Sequence, residues 1–164
     1  MSEHTFNVLF ICSANSARSI MAEACLNQMG GSRFKAYSAG SQPAGQVHPQ
    51  ALALLQRHGY AIEGLRSKSW DTFAEPGAPV MDFVFTVCDR AAAEVCPSWP
   101  GQPLSAHWGV ADPVQLQGDE SQMNKAFADA FITLQRRIGM FAALPLDKLD
   151  RLSLQREVQR IGVA

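Results

Sequence analysis

Paired metal-binding motifs are missing from this chain. Its 164 residues include four cysteines (Cys12, Cys25, Cys88, Cys96), none in C-x2-C spacing, and four histidines with no H-x3-H pattern. That speaks against a zinc site, and no metal or other cofactor is expected. Charge of one sign is missing too. Fourteen Lys and Arg stand against fifteen Asp and Glu, and the net charge of −1 gives no support for a nucleic-acid or anionic-membrane partner. No apolar run approaches the roughly 20 residues that span a bilayer. Met1-Ser2-Glu3-His4 is not the basic start of a signal peptide. Together these absences point to a cytoplasmic protein with reduced thiols. There is no internal repeat, low-complexity tract or linker, so residues 1–164 are expected to form one domain.

What is there is organised around Phe6 to Met29. Phe6-Asn7-Val8-Leu9-Phe10-Ile11 is short, apolar and free of Pro and Gly, which predicts a buried strand. Ile20 to Met29 predicts a helix stopped by Gly30-Gly31. Between them runs Cys12-Ser13-Ala14-Asn15-Ser16-Ala17-Arg18-Ser19, a C-x5-R-S loop. A loop entering a helix N-terminus turns backbone N–H groups inward, where the helix dipole favours negative charge. Arg18 can add a bidentate fork to a tetrahedral oxyanion. The same field is expected to lower the Cys12 thiol pKa and yield a thiolate nucleophile. The glycines and lysine of a nucleotide P-loop are missing.

Further on, Arg33–Gly40 alternates as a second strand, and Pro49 opens a helix with Leu52, Leu55 and Ala51 inward, ended by Gly59. A short helical turn is expected around Trp70-Asp71-Thr72-Phe73. Asp82–Val87 reads as the third strand, with Cys88 directly after it as Cys12 follows the first. Asp89–Val95 has helix formers and ends at Cys96-Pro97, and Leu104–Trp108 reads as a fourth strand. Met123, Phe127, Ala130, Phe131, Leu134, Ile138 and Phe141 recur at helical spacing; Leu146, Leu149, Leu152, Val158 and Ile161 make a last helix. The alternation predicts an α/β layered fold with a parallel sheet and right-handed crossovers.

The catalytic loop resembles that of the low-molecular-weight protein tyrosine phosphatase superfamily, which includes thiol-dependent arsenate reductases. Val87-Cys88-Asp89, Cys96-Pro97, His107-Trp108-Gly109-Val110-Ala111-Asp112-Pro113, Ser38-Ala39-Gly40 and Arg66-Ser67-Lys68-Ser69 extend the likeness to the reductase branch and to nearly the whole chain. The resemblance implies a three-layer fold with a four-stranded sheet in order 2-1-3-4 between helices. It implies an oxyanion cradle of Ser13, Ala14, Asn15, Ser16, Ala17, Arg18 and Ser19 around the nucleophile Cys12, with Asp112 as general acid. It further implies arsenate reduction in arsenic detoxification. Arsenate is attacked by Cys12, Cys88 then forms a disulfide with Cys12, and Cys96 resolves it to Cys88–Cys96. Thioredoxin, or glutaredoxin with glutathione, is the expected reductant.

In the strand order that the resemblance implies, strands one and three are neighbours about 4.8 Å apart, which would put Cys12 and Cys88 at one sheet edge within disulfide reach. Cys96, eight residues on, is about 12 Å away along an intact helix, so a Cys88–Cys96 bond requires that segment to unwind. Family loops usually carry glycine where Ala14 stands, and a positive φ there would cost roughly 1 kcal/mol. His107 is expected to pack at a strand end, Cys25 in the core, and Lys68 in solvent, with no potassium site beside it. Two rival readings use the same loop. One is a phosphotyrosine phosphatase, which needs an aromatic slot such as Trp70 or Trp99 would supply. The other is a non-catalytic oxyanion-binding or arsenic-sensing module, which would need neither Asp112 nor the second and third cysteines.

Overall fold

A computed structural model describes residues 5–88, 99, 101–115 and 118–163. The elements in chain order are β1 (Phe6–Ile11), α1 (Arg18–Met29), β2 (Phe34–Ala39), α2 (Pro49–Arg57), β3 (Phe83–Thr86), β4 (Leu104–His107), α3 (Glu120–Ala142) and α4 (Arg151–Gly162). A 3₁₀ turn at Trp70–Phe73 sits where a short helical turn was expected. All strands run parallel in the order β2-β1-β3-β4, as the resemblance implied. The expected 89–95 helix and Cys96 lie outside the described residues.

Central placement explains the unbroken apolar run of β1: Val8, Leu9, Phe10 and Ile11 are all buried, because both faces of the strand are covered. On one face, Phe83 and Phe85 meet Phe141 of α3 edge-on at centroid distances of 4.9 and 5.2 Å. Trp108 lies flat on Phe85 at 3.9 Å, and its indole N–H donates to the Val158 carbonyl of α4 at 2.8 Å. The stacked ring buries a large apolar surface while its one polar atom finds a partner. On the other face Tyr37 meets Phe73 edge-on at 5.4 Å.

Several helix ends differ from where periodicity alone puts them. The first helix starts at Arg18, two residues before the apolar pattern begins at Ile20. The last helix starts only at Arg151, after Asp150 accepts a hydrogen bond from the Ser153 amide at 2.7 Å. Leu146 is therefore buried in a loop, and Leu152 points to solvent at 61 % exposure; Val158 and Ile161 face inward as expected. In α2, Leu54 joins Ala51 and Leu55 in the core, and Leu52 is only half-buried. Asp119 and Gln122 form a reciprocal capping box on α3.

The strand ends stay in step. The Val87 amide donates to the Ile11 carbonyl at 2.8 Å, Trp108 to Thr86 at 2.7 Å, and Val110 to Val87 at 3.0 Å. The segments after β1, β3 and β4 thus emerge side by side at the carboxyl edge of the sheet, where open α/β sheets bind ligands. Gly40, just past β2, passes directly behind the first of them. A β-carbon there would overlap the Ser13 carbonyl oxygen and come within 2.7 Å of the Cys12 carbonyl oxygen. We predict that Gly40→Ala costs about 1–3 kcal/mol through this overpacking and weakens oxyanion binding as well. Thermal unfolding and phosphate titration check both; an unchanged melting temperature and affinity would show that the loop has room to yield.

Candidate active site

The loop after β1 is shaped by where its carbonyls go. Ser13, Ala14 and Ser16 turn their oxygens outward to the amides of Gln42, Ala44 and His48, each at 2.9 Å. Ser67 Oγ also donates to the Ala14 carbonyl at 3.1 Å and accepts from the Gly45 amide at 3.1 Å. In a planar trans peptide the next N–H points opposite to the carbonyl, so the amides of Ala14, Asn15 and Ala17 face the inside of the loop. The single left-handed residue in this loop is Asn15, at φ +47°, and not Ala14. Ala14 therefore carries none of the strain that a positive φ would impose, and asparagine tolerates the conformation.

Asn15, fully buried, sets the chemistry of the thiol. The Lys68 amide can only donate, so the atom it meets at 2.9 Å is Asn15 Oδ1. Asn15 Nδ2 then donates to Ser19 Oγ at 2.7 Å. With its oxygen accepting from Asn15, the Ser19 hydroxyl is free to direct its proton to Cys12 Sγ, 2.9 Å away. When Cys12 is ionised, sulfur is the acceptor at the end of the chain, an arrangement that favours thiolate. Against this, burial is the largest influence on Cys12 and pushes the thiol pKa up; the Ser19 hydrogen bonds and the Arg18 charge oppose it. The expected lowering is therefore not the net result here, because desolvation outweighs the positive field.

Arg18, at the start of α1, reaches across to the segment after β4. Its Nη1 donates to the Val110 carbonyl at 3.0 Å and its Nη2 pairs with Asp112 Oδ2 at 3.3 Å. Asp112 Oδ1 accepts from the Val114 amide at 3.0 Å. Cys88 stands beside the first loop: its sulfur accepts from the Ser13 amide at 3.2 Å, with Ser13 Oγ at 3.5 Å. Four of the five candidate catalytic residues, Cys12, Arg18, Cys88 and Asp112, are thus joined through one loop and its contacts; Cys96 is outside the described residues. Cys12 and Cys88 are not joined in a disulfide. His107 is exposed, with Nδ1 2.9 Å from Thr86 Oγ1, instead of packed as expected. Cys25 is a core thiol pushed up to about 12 by burial.

Beneath the loop lies a polar pair that sequence reading missed. Lys68, expected in solvent, is largely buried; its ammonium sits 3.9 Å from Glu23 and donates to the Arg66 carbonyl at 2.9 Å. Ser38 Oγ donates to the same Glu23 carboxylate. Burial pushes Glu23 up and Lys68 down, and each opposes the other's shift. The available signal was Glu23 itself, a carboxylate in a helix flanked by the buried Ala22 and Ala24. Among the described residues no three His, Cys, Asp or Glu side chains gather to hold a metal.

A cysteine at a strand end, an arginine six residues on and inward amides between them define an α/β protein with an oxyanion-type loop. The chain belongs to the low molecular weight phosphotyrosine protein phosphatase family, whose model matches residues 7–159. It is 33 % identical over 135 residues to an arsenate reductase of Halalkalibacterium halodurans, covering 82 % of this chain and 94 % of that one. A solved arsenate reductase in its phosphate-binding state is 26 % identical at a TM-score of 0.66, over 85 % of this chain and 98 % of the other. A thioredoxin-dependent arsenate reductase of Corynebacterium glutamicum is 26 % identical at a TM-score of 0.56. That match covers 84 % of this chain, which spans only 64 % of the Corynebacterium chain.

The hydrogen-bond chain yields a directional prediction. In Ser19→Ala the largest influence opposing burial is lost, so the Cys12 thiol pKa rises further. Less thiolate is then present at neutral pH, and Cys12 alkylation by iodoacetamide, read by peptide mass mapping, should slow several-fold with its profile displaced to higher pH. A profile that stays in place would remove Ser19 from thiol activation.

Proposed function

We propose that this chain reduces arsenate to arsenite in the cytoplasm, with its own thiols supplying the two electrons. The observation that carries the reading is Cys88 seated on the Ser13 amide, one residue past Cys12. A phosphatase needs one thiol; a second thiol delivered to the nucleophile's own loop suits disulfide chemistry. The arsenate reductases to which the chain is similar support the same reading.

In the proposed reaction, the inward amides of Ala14, Asn15 and Ala17 and the Arg18 fork hold arsenate, with Arg18 turning from Val110 and Asp112 to the oxyanion. Cys12 thiolate forms a bond to As(V) while one arsenate oxygen, protonated by Asp112, leaves as water. Cys88, having lost its proton, attacks the Cys12 sulfur. The S–S bond forms as the S–As bond breaks, its electron pair stays on arsenic, and As(III) departs as arsenite. Cys96 then attacks Cys88, freeing Cys12 and leaving Cys88–Cys96, which thioredoxin, or glutaredoxin with glutathione, reduces by exchange. Neither nicotinamide nor flavin enters this scheme.

The phosphotyrosine phosphatase reading gains little from the aromatic residues named for it. Trp70 is 8 % exposed and packs edge-on against Trp99 at 6.5 Å, so its face is committed to packing. An oxyanion sensor would use Arg18 but not the Cys88 contact.

Substitution at two cysteines separates the readings. Cys12→Ser should abolish arsenate reduction and any aryl-phosphate hydrolysis together, because a hydroxyl stays protonated where the thiolate is needed; retained activity would place the nucleophile elsewhere. Cys88→Ser should stop arsenate turnover yet spare aryl-phosphate hydrolysis, since water completes that cycle. In wild type oxidised by arsenate without reductant, mass mapping should find Cys88–Cys96. Full arsenate turnover by a Cys88→Ser/Cys96→Ser double variant would sink the three-thiol scheme.

A further inference from the structure

Arg137 lies on the buried stripe of α3, at a position where Leu134, Ile138 and Phe141 set an apolar pattern. It is only 8 % exposed, and its Nε has no hydrogen-bond partner among the described residues. An apolar residue of similar size would suit this place better, because a buried charge that is incompletely hydrogen-bonded is destabilising. Its Nη1 donates to the Gly109 carbonyl at 2.9 Å. Gly109 opens the segment that carries Asp112.

That segment is held from two directions. Arg18 grips Val110 and Asp112 from the oxyanion loop, and Arg137 grips the neighbouring carbonyl, Gly109, from α3. The Val110 amide adds a bond to Val87. On the α3 side a cavity of about 330 Å³ opens between Val110, Asp112 and Pro113 of the segment and Ala126, Asp129 and Thr133 of α3. When Arg18 turns to an oxyanion its two restraints are given up, and the Arg137 and Val87 bonds remain.

We infer that Arg137 is a positioning residue, tethering Gly109 to α3 so that Asp112 stays at the pocket while Arg18 holds the oxyanion. This rests on the reading of Asp112 as the proton donor in arsenate reduction. The test is arsenite release in a single turnover of the pre-reduced full chain, as a function of arsenate concentration, which needs no external reductant. R137M should lower the maximal rate about 10- to 100-fold, the scale of a small misplacement of a reacting group, and leave half-saturation within about three-fold of wild type. R137K, with a donor able to reach the Gly109 carbonyl, should recover most of the rate. R137M/D112N should be no slower than D112N alone, because both changes remove the same function. Should R137M fail to fold, R137Q takes its place with the same expectations. A wild-type rate in R137M or R137Q, effects that multiply with D112N, or a change confined to half-saturation overturns the inference and leaves the functional reading standing. No arsenite from the wild type, or a D112N as fast as wild type, overturns that reading and this inference with it.

Discussion

A loop that turns its amides inward must dispose of its carbonyls elsewhere, and the site depends on how that is done. Buried backbone oxygens are costly without partners. Here the 42–48 segment supplies three amides to Ser13, Ala14 and Ser16, and Ser67 adds a hydroxyl. That segment in turn leads into α2, whose start is placed by the His48 ring accepting from the Gln50 amide. Gly40 leaves space behind the loop where any side chain would intrude. The shape of the loop is therefore a product of separate stretches of chain, 40–48 and Ser67 as well as the loop itself.

The thiol sits at a balance between opposing physical effects. Burial at the floor of the loop disfavours charge on Cys12, while the relay from the Lys68 amide through Asn15 leaves the Ser19 hydroxyl proton available to a thiolate. The backbone N–H of Lys68 can only donate, which fixes the orientation of the Asn15 amide and its bond to Ser19. Arg18 contributes positive charge from one side and is itself engaged by Val110 and Asp112. The same contacts link the oxyanion loop, the Cys88 segment and the segment after β4 into one cluster at the sheet edge.

Much of the fold was legible because strand and helix periods survive in the apolar residues. The run Phe6–Ile11 is apolar on both faces since β1 is central, and the stripe through Phe127, Phe131, Leu134, Ile138 and Phe141 lies wholly inside. Helix ends were less legible: Asp150 caps the last helix after two leucines that matched its period. In the site, Cys12, Arg18, Cys88 and Asp112 could be named from their spacing and family likeness. Glu23, Lys68 and Arg137 could not, because charged side chains read as solvated unless something shows them buried. An arginine on an apolar helical stripe was the one signal available for Arg137.

The sequence by itself determined the main element types, the parallel α/β class and a C-x5-R loop between strand and helix, since these follow from local periods and from residues within one short stretch. Only the tertiary structure decided that Asn15 and not Ala14 takes the left-handed conformation, that Ser19 Oγ meets Cys12 Sγ, and that Cys88 rests on the Ser13 amide. Hydrogen-bond direction, burial and the pairing of thiols depend on groups far apart in the chain: Lys68 lies 53 residues from Asn15, and Cys88 lies 75 from Ser13. No local pattern encodes such distances; they arise when the sheet brings its carboxyl ends together.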